Sequence, residues 1–249
     1  MRRYLVDAAA AGLALTLTAA GASAADVTLL CSNALKSVLE ELGPQFEKAS
    51  GHKLKIEYGS TGPLKVQIEK GQPFDVAILG VETIDELLKS GKLASGSRVD
   101  IARSGMGVAI RKGAPKPELG TTQAFKQALL KAQTIAYSEG GLTGIYIKGL
   151  VERLGIAEEL KSKIRFGRGA EMVSEGKAEI GLTQVSEILP VAGAELAGPL
   201  PPELQQYTVF PGVLSAAALQ AEAGQALLKF LKSPDAAQVL KAKGLEPAA

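Results

Sequence analysis

The sequence predicts an α/β fold in two lobes, with a ligand cleft between them. Three observations carry this. After the first two dozen residues, short apolar runs alternate with helix-patterned segments to the end of the chain. The alternation falls into two sets within 249 residues, a length that suits one large domain or two medium ones. The chain closes on two helix-patterned segments that must cover a sheet, and the first set is the natural one to receive them. Repeated alternation of this kind calls for a mostly parallel sheet with helices on both faces. One lobe is expected to comprise residues 26–103 and 209–249, and the other residues 104–208.

The first residues read as an export signal. Arg2 and Arg3 supply a positive start, Ala8 to Ala20 an apolar run too short to span a bilayer, and Ala22-Ser23-Ala24 a small-residue cleavage pattern. Cleavage after Ala24 follows, which makes residues 1–24 the signal and the periplasm the destination. Val27 to Leu30 then reads as a buried strand. Asn33 to Ala49 carries Leu35, Val38, Leu39, Leu42 and Phe46 on one helical face. Leu54, Ile56 and Tyr58 alternate as in a strand, and Ser60-Thr61-Gly62-Pro63 opens a helix. Asp75 to Leu79 is a third strand, and Thr83 to Ser90 a helix stopped by Gly91.

The second set begins with a strand at Met106 to Arg111. A helix at Thr121 to Lys131 follows, then a strand at Thr134 to Tyr137 and a helix at Gly144 to Leu154. Short strands at Ile164 to Phe166 and Glu179 to Thr183 flank a helix at Ala170 to Glu175. After a proline-rich stretch, Tyr207 to Ala218 is extended, and helices at Ala221 to Lys232 and Pro234 to Lys243 end the chain.

Composition narrows the function. A formal net charge of +2 offers no nucleic-acid footprint. Aromatic residues make up 4% and Trp is absent, which disfavours sugar and ring-stacking ligands. Cys31 is the only cysteine, so no disulfide forms within the chain, and Leu30 before it argues against lipid attachment. His52 is the only histidine and has no clustered carboxylates, so neither a metal nor another cofactor is expected. The chain shows no G-x-S-x-G elbow and no lysine-bearing phosphate loop, and a binding protein is expected rather than an enzyme. An exported hydrolase using Ser60 or Ser138 is the catalytic rival.

Chemistry concentrates at strand-to-helix turns. Ser32-Asn33, Ser60-Thr61-Gly62 and Ser138 to Gly144 each follow a strand. Ligands of open α/β sheets sit outside the carboxyl ends of the strands. Helix N-termini there present free N–H groups and the positive end of a dipole, and serine hydroxyls add donors without charge. One such turn alone is an ordinary helix cap. Repetition in both sets at the same sheet end points to an anion site.

The chain resembles the periplasmic molybdate-binding proteins of ABC importers and their extracellular solute-binding relatives. The resemblance is carried by Val27 to Leu35, Tyr58-Gly59-Ser60-Thr61-Gly62, Pro73-Phe74-Asp75-Val76, Gly144-Ile145-Tyr146, Ile180-Gly181-Leu182 and Phe230 to Ala237. It implies a type II periplasmic-binding-protein-like fold. It also implies a small oxyanion, molybdate or tungstate foremost, held between the lobes by a monomer and handed to an inner-membrane permease. By this resemblance Ser32 and Ser60, with Asn33 and Thr61 beside them, supply hydroxyls from the first lobe. Ala136, Tyr137 or Ser138, and Met172 within Glu171 to Val173, supply second-lobe amides. Where the family has a ligand-contacting tyrosine this chain reads Leu182-Thr183-Gln184, so Thr183 or Gln184 takes that place. No carboxylate is expected to titrate in such a cleft. Arg165 and Arg168 are expected on the solvated surface; a small organic acid or phosphate as ligand would bring one of them into the cleft. A ligand-sensing role is not separated from transport by any residue.

Overall fold

A computed structural model describes residues 24–248. The expected export signal lies outside the described residues except for Ala24. The first half of the chain forms β1 (Asp26–Ser32), a short 3-10 turn (Asn33–Leu35), α1 (Lys36–Ser50), β2 (Lys53–Gly59), α2 (Thr61–Glu69), β3 (Val76–Ile78) and α3 (Val81–Lys89). A long strand, β4 (Val99–Arg111), leads to α4 (Thr122–Lys131), β5 (Ile135–Tyr137), α5 (Gly141–Arg153), α6 (Ala157–Leu160), β6 (Ile164–Phe166), α7 (Gly169–Ser174), β7 (Ile180–Gln184), α8 (Val185–Ile188) and β8 (Ala194–Pro199). The chain returns through β9 (Tyr207–Leu214), α9 (Ala221–Phe230), α10 (Pro234–Ala242) and β10 (Glu246–Pro247).

The strands follow the order β2-β1-β3-β9-β4-β7-β5-β6. Pairing is parallel within β2-β1-β3 and within β7-β5-β6, but β9 and β4 run antiparallel to their neighbours. The sheet is therefore mixed rather than mostly parallel, because the two crossing segments are themselves strands. β4 is shared: Val99 to Gly105 pairs with β9, and Met106 to Arg111 with β7 or β8. At the change-over the backbone N–H of Met106 donates to Gln205 Oε1 at 2.7 Å, and Gln205 Nε2 donates back to the Met106 carbonyl at 3.0 Å. One side chain thus clamps both crossings together.

The period-2 alternation of side chains splits each lobe into two apolar layers. In the first lobe Val27, Leu29, Cys31, Val76 and Ile78 pack under α1, α9 and α10, while Leu30, Ala77 and Leu79 face α2 and α3. Burial pushes the Cys31 thiol well above its usual range, so it stays an inert core residue. In the second lobe Val108, Ile135, Tyr137 and Leu182 meet α4 to α6, while Ala109 and Ala136 face α7 and α8. Asp75 joins the returning C-terminal segment to the first lobe. Its buried carboxylate accepts the backbone N–H groups of Thr28, Leu219 and Gln220, each at 2.9 Å. Among the described residues no helix is long and apolar enough to cross a membrane.

Candidate functional site

Between the lobes lies a cleft enclosing about 60 Å³. It is small beside the ~300–1,000 Å³ of ordinary organic-ligand pockets. Its first-lobe wall comes from the carboxyl ends of β1 and β2. Ser32 ends β1 and caps the 3-10 turn, where its hydroxyl accepts only a long 3.4 Å bond from the Ala34 N–H. Ser60 is the residue before α2, yet its hydroxyl makes no cap bond. Asn33 and Thr61 line the same wall. From the second lobe Ser138, the Gly140 to Thr143 turn at the start of α5, and Thr183 and Gln184 at the end of β7 close the space.

Two helix N-termini therefore face one another across the cleft. Ser60 and Gly141 approach until a Cβ placed on Gly141 would lie 3.9 Å from that of Ser60. Both helices direct unsatisfied N–H groups and positive dipole ends at the enclosed space. The turn before α5 is held by close approach: a Cβ on Gly144 would come 2.1 Å from the Ser138 carbonyl oxygen. The lobes also touch at the rim, where Leu142 occupies the space that Gly80 leaves; a Cβ there would lie 2.3 Å from Leu142 Cδ1. The two lobes meet along this rim.

Three expected residues lie elsewhere. Ala136 and Tyr137 belong to the middle of the β6-β5-β7 ladder, with side chains committed to the two cores. The Tyr137 ring packs edge-on against Phe166 at 5.6 Å, away from the cleft. Met172 sits one turn inside α7, its N–H spent on the Arg168 carbonyl at 2.9 Å.

In their place the second lobe brings Arg168, Gly169, Glu171 and Glu187 to the cleft, with Phe210 beneath. Arg168 stands at the mouth, half exposed, and pairs with Glu171 at 2.7 Å. Arg165 instead turns onto the carbonyls of Ser162 and Ile164. The Thr183 hydroxyl donates to Glu187, whose carboxyl burial holds above the usual carboxylate range. The Thr183 bond and Arg168 oppose that rise, and Glu171 adds to it. A titrating carboxyl in the cleft corrects the expectation that none would be present. Gln184 is buried there with its Oε1 unpartnered, an acceptor among donors. Of these residues, Arg168 was expected on the solvated surface, with a place in the cleft only for an organic acid or phosphate ligand, and Glu171 only as part of an amide-bearing helix start. Glu187 carried no signal, since its helix is a single turn. Among the described residues no group of three His, Cys, Asp or Glu side chains is placed to hold a metal ion.

The family model of the bacterial extracellular solute-binding proteins matches residues 27–246. An aconitate isomerase from a Pseudomonas species is 34% identical over 230 residues, covering 89% of this chain and 87% of that protein. The molybdate-binding protein ModA of Azotobacter vinelandii is 29% identical over 249 residues, covering 96% of each chain. The solved periplasmic molybdate-binding protein of Azotobacter vinelandii superposes with a TM-score of 0.75 at 23% identity, covering 90% of this chain and all of that one.

Proposed function

We propose, on the premise that this chain belongs to the bacterial extracellular solute-binding proteins, that it closes around a small oxygen-rich anion and delivers it to the permease of an ABC-type importer. The supporting observation is the convergence of helix N-termini and hydroxyls from both lobes on one small space. Ser32, Ser60, Thr61, Ser138 and Thr143 donate without bringing charge. Aligned backbone dipoles stabilise an anion drawn out of water. A fully ionised tetrahedral anion, molybdate or tungstate, meets these donors from all sides, as the resemblance implies. The chain works as an exported monomer in the periplasm, its signal removed after Ala24.

A second reading is favoured by the wall of Arg168, Gln184 and Glu187. A guanidinium suits a planar carboxylate better than a tetrahedral ion. Gln184 Oε1 and the Glu187 carboxyl offer acceptors that a fully ionised dianion cannot use. The solute is then a small organic acid. The relative named aconitate isomerase extends this to chemistry on the bound acid, for which a buried carboxyl held above the usual carboxylate range is a candidate proton carrier. Thermal shift with molybdate, tungstate, sulfate, phosphate and organic acids identifies the ligand class, since a ligand of the folded state raises the melting point. Incubation with cis- or trans-aconitate, followed by proton NMR, tests conversion. A chain whose melting point answers to no anion is not an anion-binding protein.

A further inference from the structure

The cleft does not end at its first-lobe serines. Past Arg168 and Glu187 it opens into a second chamber of about 190 Å³, between α1 of the first lobe and the α7 and α8 side of the second. Lys36, Ser37 and Glu40 form one wall; Ser186, Pro190 and Val191 form the other. Asn33, Arg168, Glu171 and Glu187 line both chambers and make the neck.

The second chamber contains hydrogen-bonding capacity that the protein leaves unused. Ser186 is 1% exposed and its hydroxyl has no partner. Ser37 Oγ, on the opposite wall, is also buried and unpartnered. A buried hydroxyl without a partner destabilises the fold, and here two from different lobes flank one space. The fixed charges around them are largely matched. Arg168 holds Glu171 at 2.7 Å, and Lys36 reaches Glu40 only at 3.8 Å. A second dianion finds no free cation here, whereas a single carboxyl group meets two hydroxyls and a loosely paired ammonium. A tetrahedral ion fills the first chamber alone and leaves all of this unmet.

We propose that the solute is a short organic acid with oxygen groups at both ends, of the di- or tricarboxylic class, spanning both chambers. One carboxylate sits among Ser32, Ser60 and the starts of α2 and α5. The carbon chain passes the neck beside Arg168, and the far carboxyl group meets Ser37, Ser186 and Lys36. This rests on the reading that the cleft binds an anion, and it assigns Ser37, Ser186 and Lys36 to the site.

The test is calorimetry on the mature chain with citrate, trans-aconitate, succinate, acetate, molybdate and sulfate. Ser37→Leu fills the second chamber from the partly exposed face of α1; Ser186→Thr adds one methyl from the other wall and serves if the leucine variant does not fold. The two-ended acids are expected to bind at least tenfold tighter than acetate or molybdate. Each filling variant is expected to weaken them more than it weakens acetate, with Ser37→Leu costing the tricarboxylate tenfold or more. Molybdate or sulfate binding tightest, with the same affinity in Ser37→Leu, overturns the two-chamber solute but leaves the anion reading intact. Binding of none of the six by folded protein overturns both.

Discussion

Individual side chains in the cleft differ in what else they do, and that separates binding from stability. Ser60 makes no cap bond, so its hydroxyl is free for a ligand. Ser60→Ala is expected to cost roughly 1.5–3 kcal/mol of anion affinity, the scale of a hydrogen bond to a charged group, with an unchanged melting point in the free protein. Calorimetry and thermal melts on one preparation check both halves. Ser32→Ala is expected to lose similar affinity and slightly more stability, because its hydroxyl also accepts the long bond from Ala34. Glu187 is expected to make binding depend on pH. Its carboxyl loses a proton above the usual range because burial penalises the charge. As pH falls through that raised value the cleft sheds a negative charge, so anion affinity is expected to rise relative to Glu187→Gln, which has no such step. Comparing the two proteins as pH rises from the usual carboxylate range cancels the ligand's own ionisation. Parallel pH curves would remove Glu187 from the site. The same shift favours the folded state at low pH, and that contribution is lost as pH rises through the folded value.

At the scale of elements, the site rests on a few tight junctions. Asp75 holds the starts of β1 and α9 through three backbone N–H groups. Asp75→Ala leaves all three without a partner and is expected to destabilise the protein by roughly 2–4 kcal/mol, as buried network losses do, read as a lower denaturant midpoint. Gly144→Ala drives a Cβ into the Ser138 carbonyl, so it is expected to displace the turn before α5 and weaken binding along with stability. These junctions also mark how far the sequence could be read. The hydroxyl-bearing turns at Ser32, Ser60 and Ser138 were visible because strand patterning stops and helix patterning starts at those residues. β4 was read only from Met106, since Asp100, Arg103 and Ser104 break the apolar run; Arg103 lies on the Tyr207 ring at 4.5 Å and reaches Glu246. β8 was missed because it is a half-exposed edge segment containing Gly198 and ending at Pro199. Arg168 was read as surface and Glu187 not at all for a different reason: a single charged residue in or beside a helix this short carries no period, so its direction depends on how the lobes meet.

For the whole molecule, the proposed function depends on closure, and the contacts across the cleft are where closure is expected to gain. Leu142 belongs to the second lobe and fills the space above Gly80 of the first, beside the approach of Ser60 to Gly141. Opposite this rim, the one-turn helix α8 meets the Asn33 to Leu35 turn. Gln205 meanwhile ties the two crossings together beside Met106, so a hinge rotation of the lobes is expected to centre there. A contact made only in the closed arrangement contributes to ligand affinity and leaves the free, open protein unaffected. Leu142→Ala removes part of one leucine's burial, on the order of 1 kcal/mol, or about fivefold in affinity. The loss is expected in the dissociation rate, because encounter precedes closure and closure retains the solute. Stopped-flow rates on the identified ligand check this, with the melting point of the unliganded variant unchanged. An equal loss of unliganded stability would mean that the lobes are already closed without solute, and that the rim contact belongs to the fold instead of the binding step.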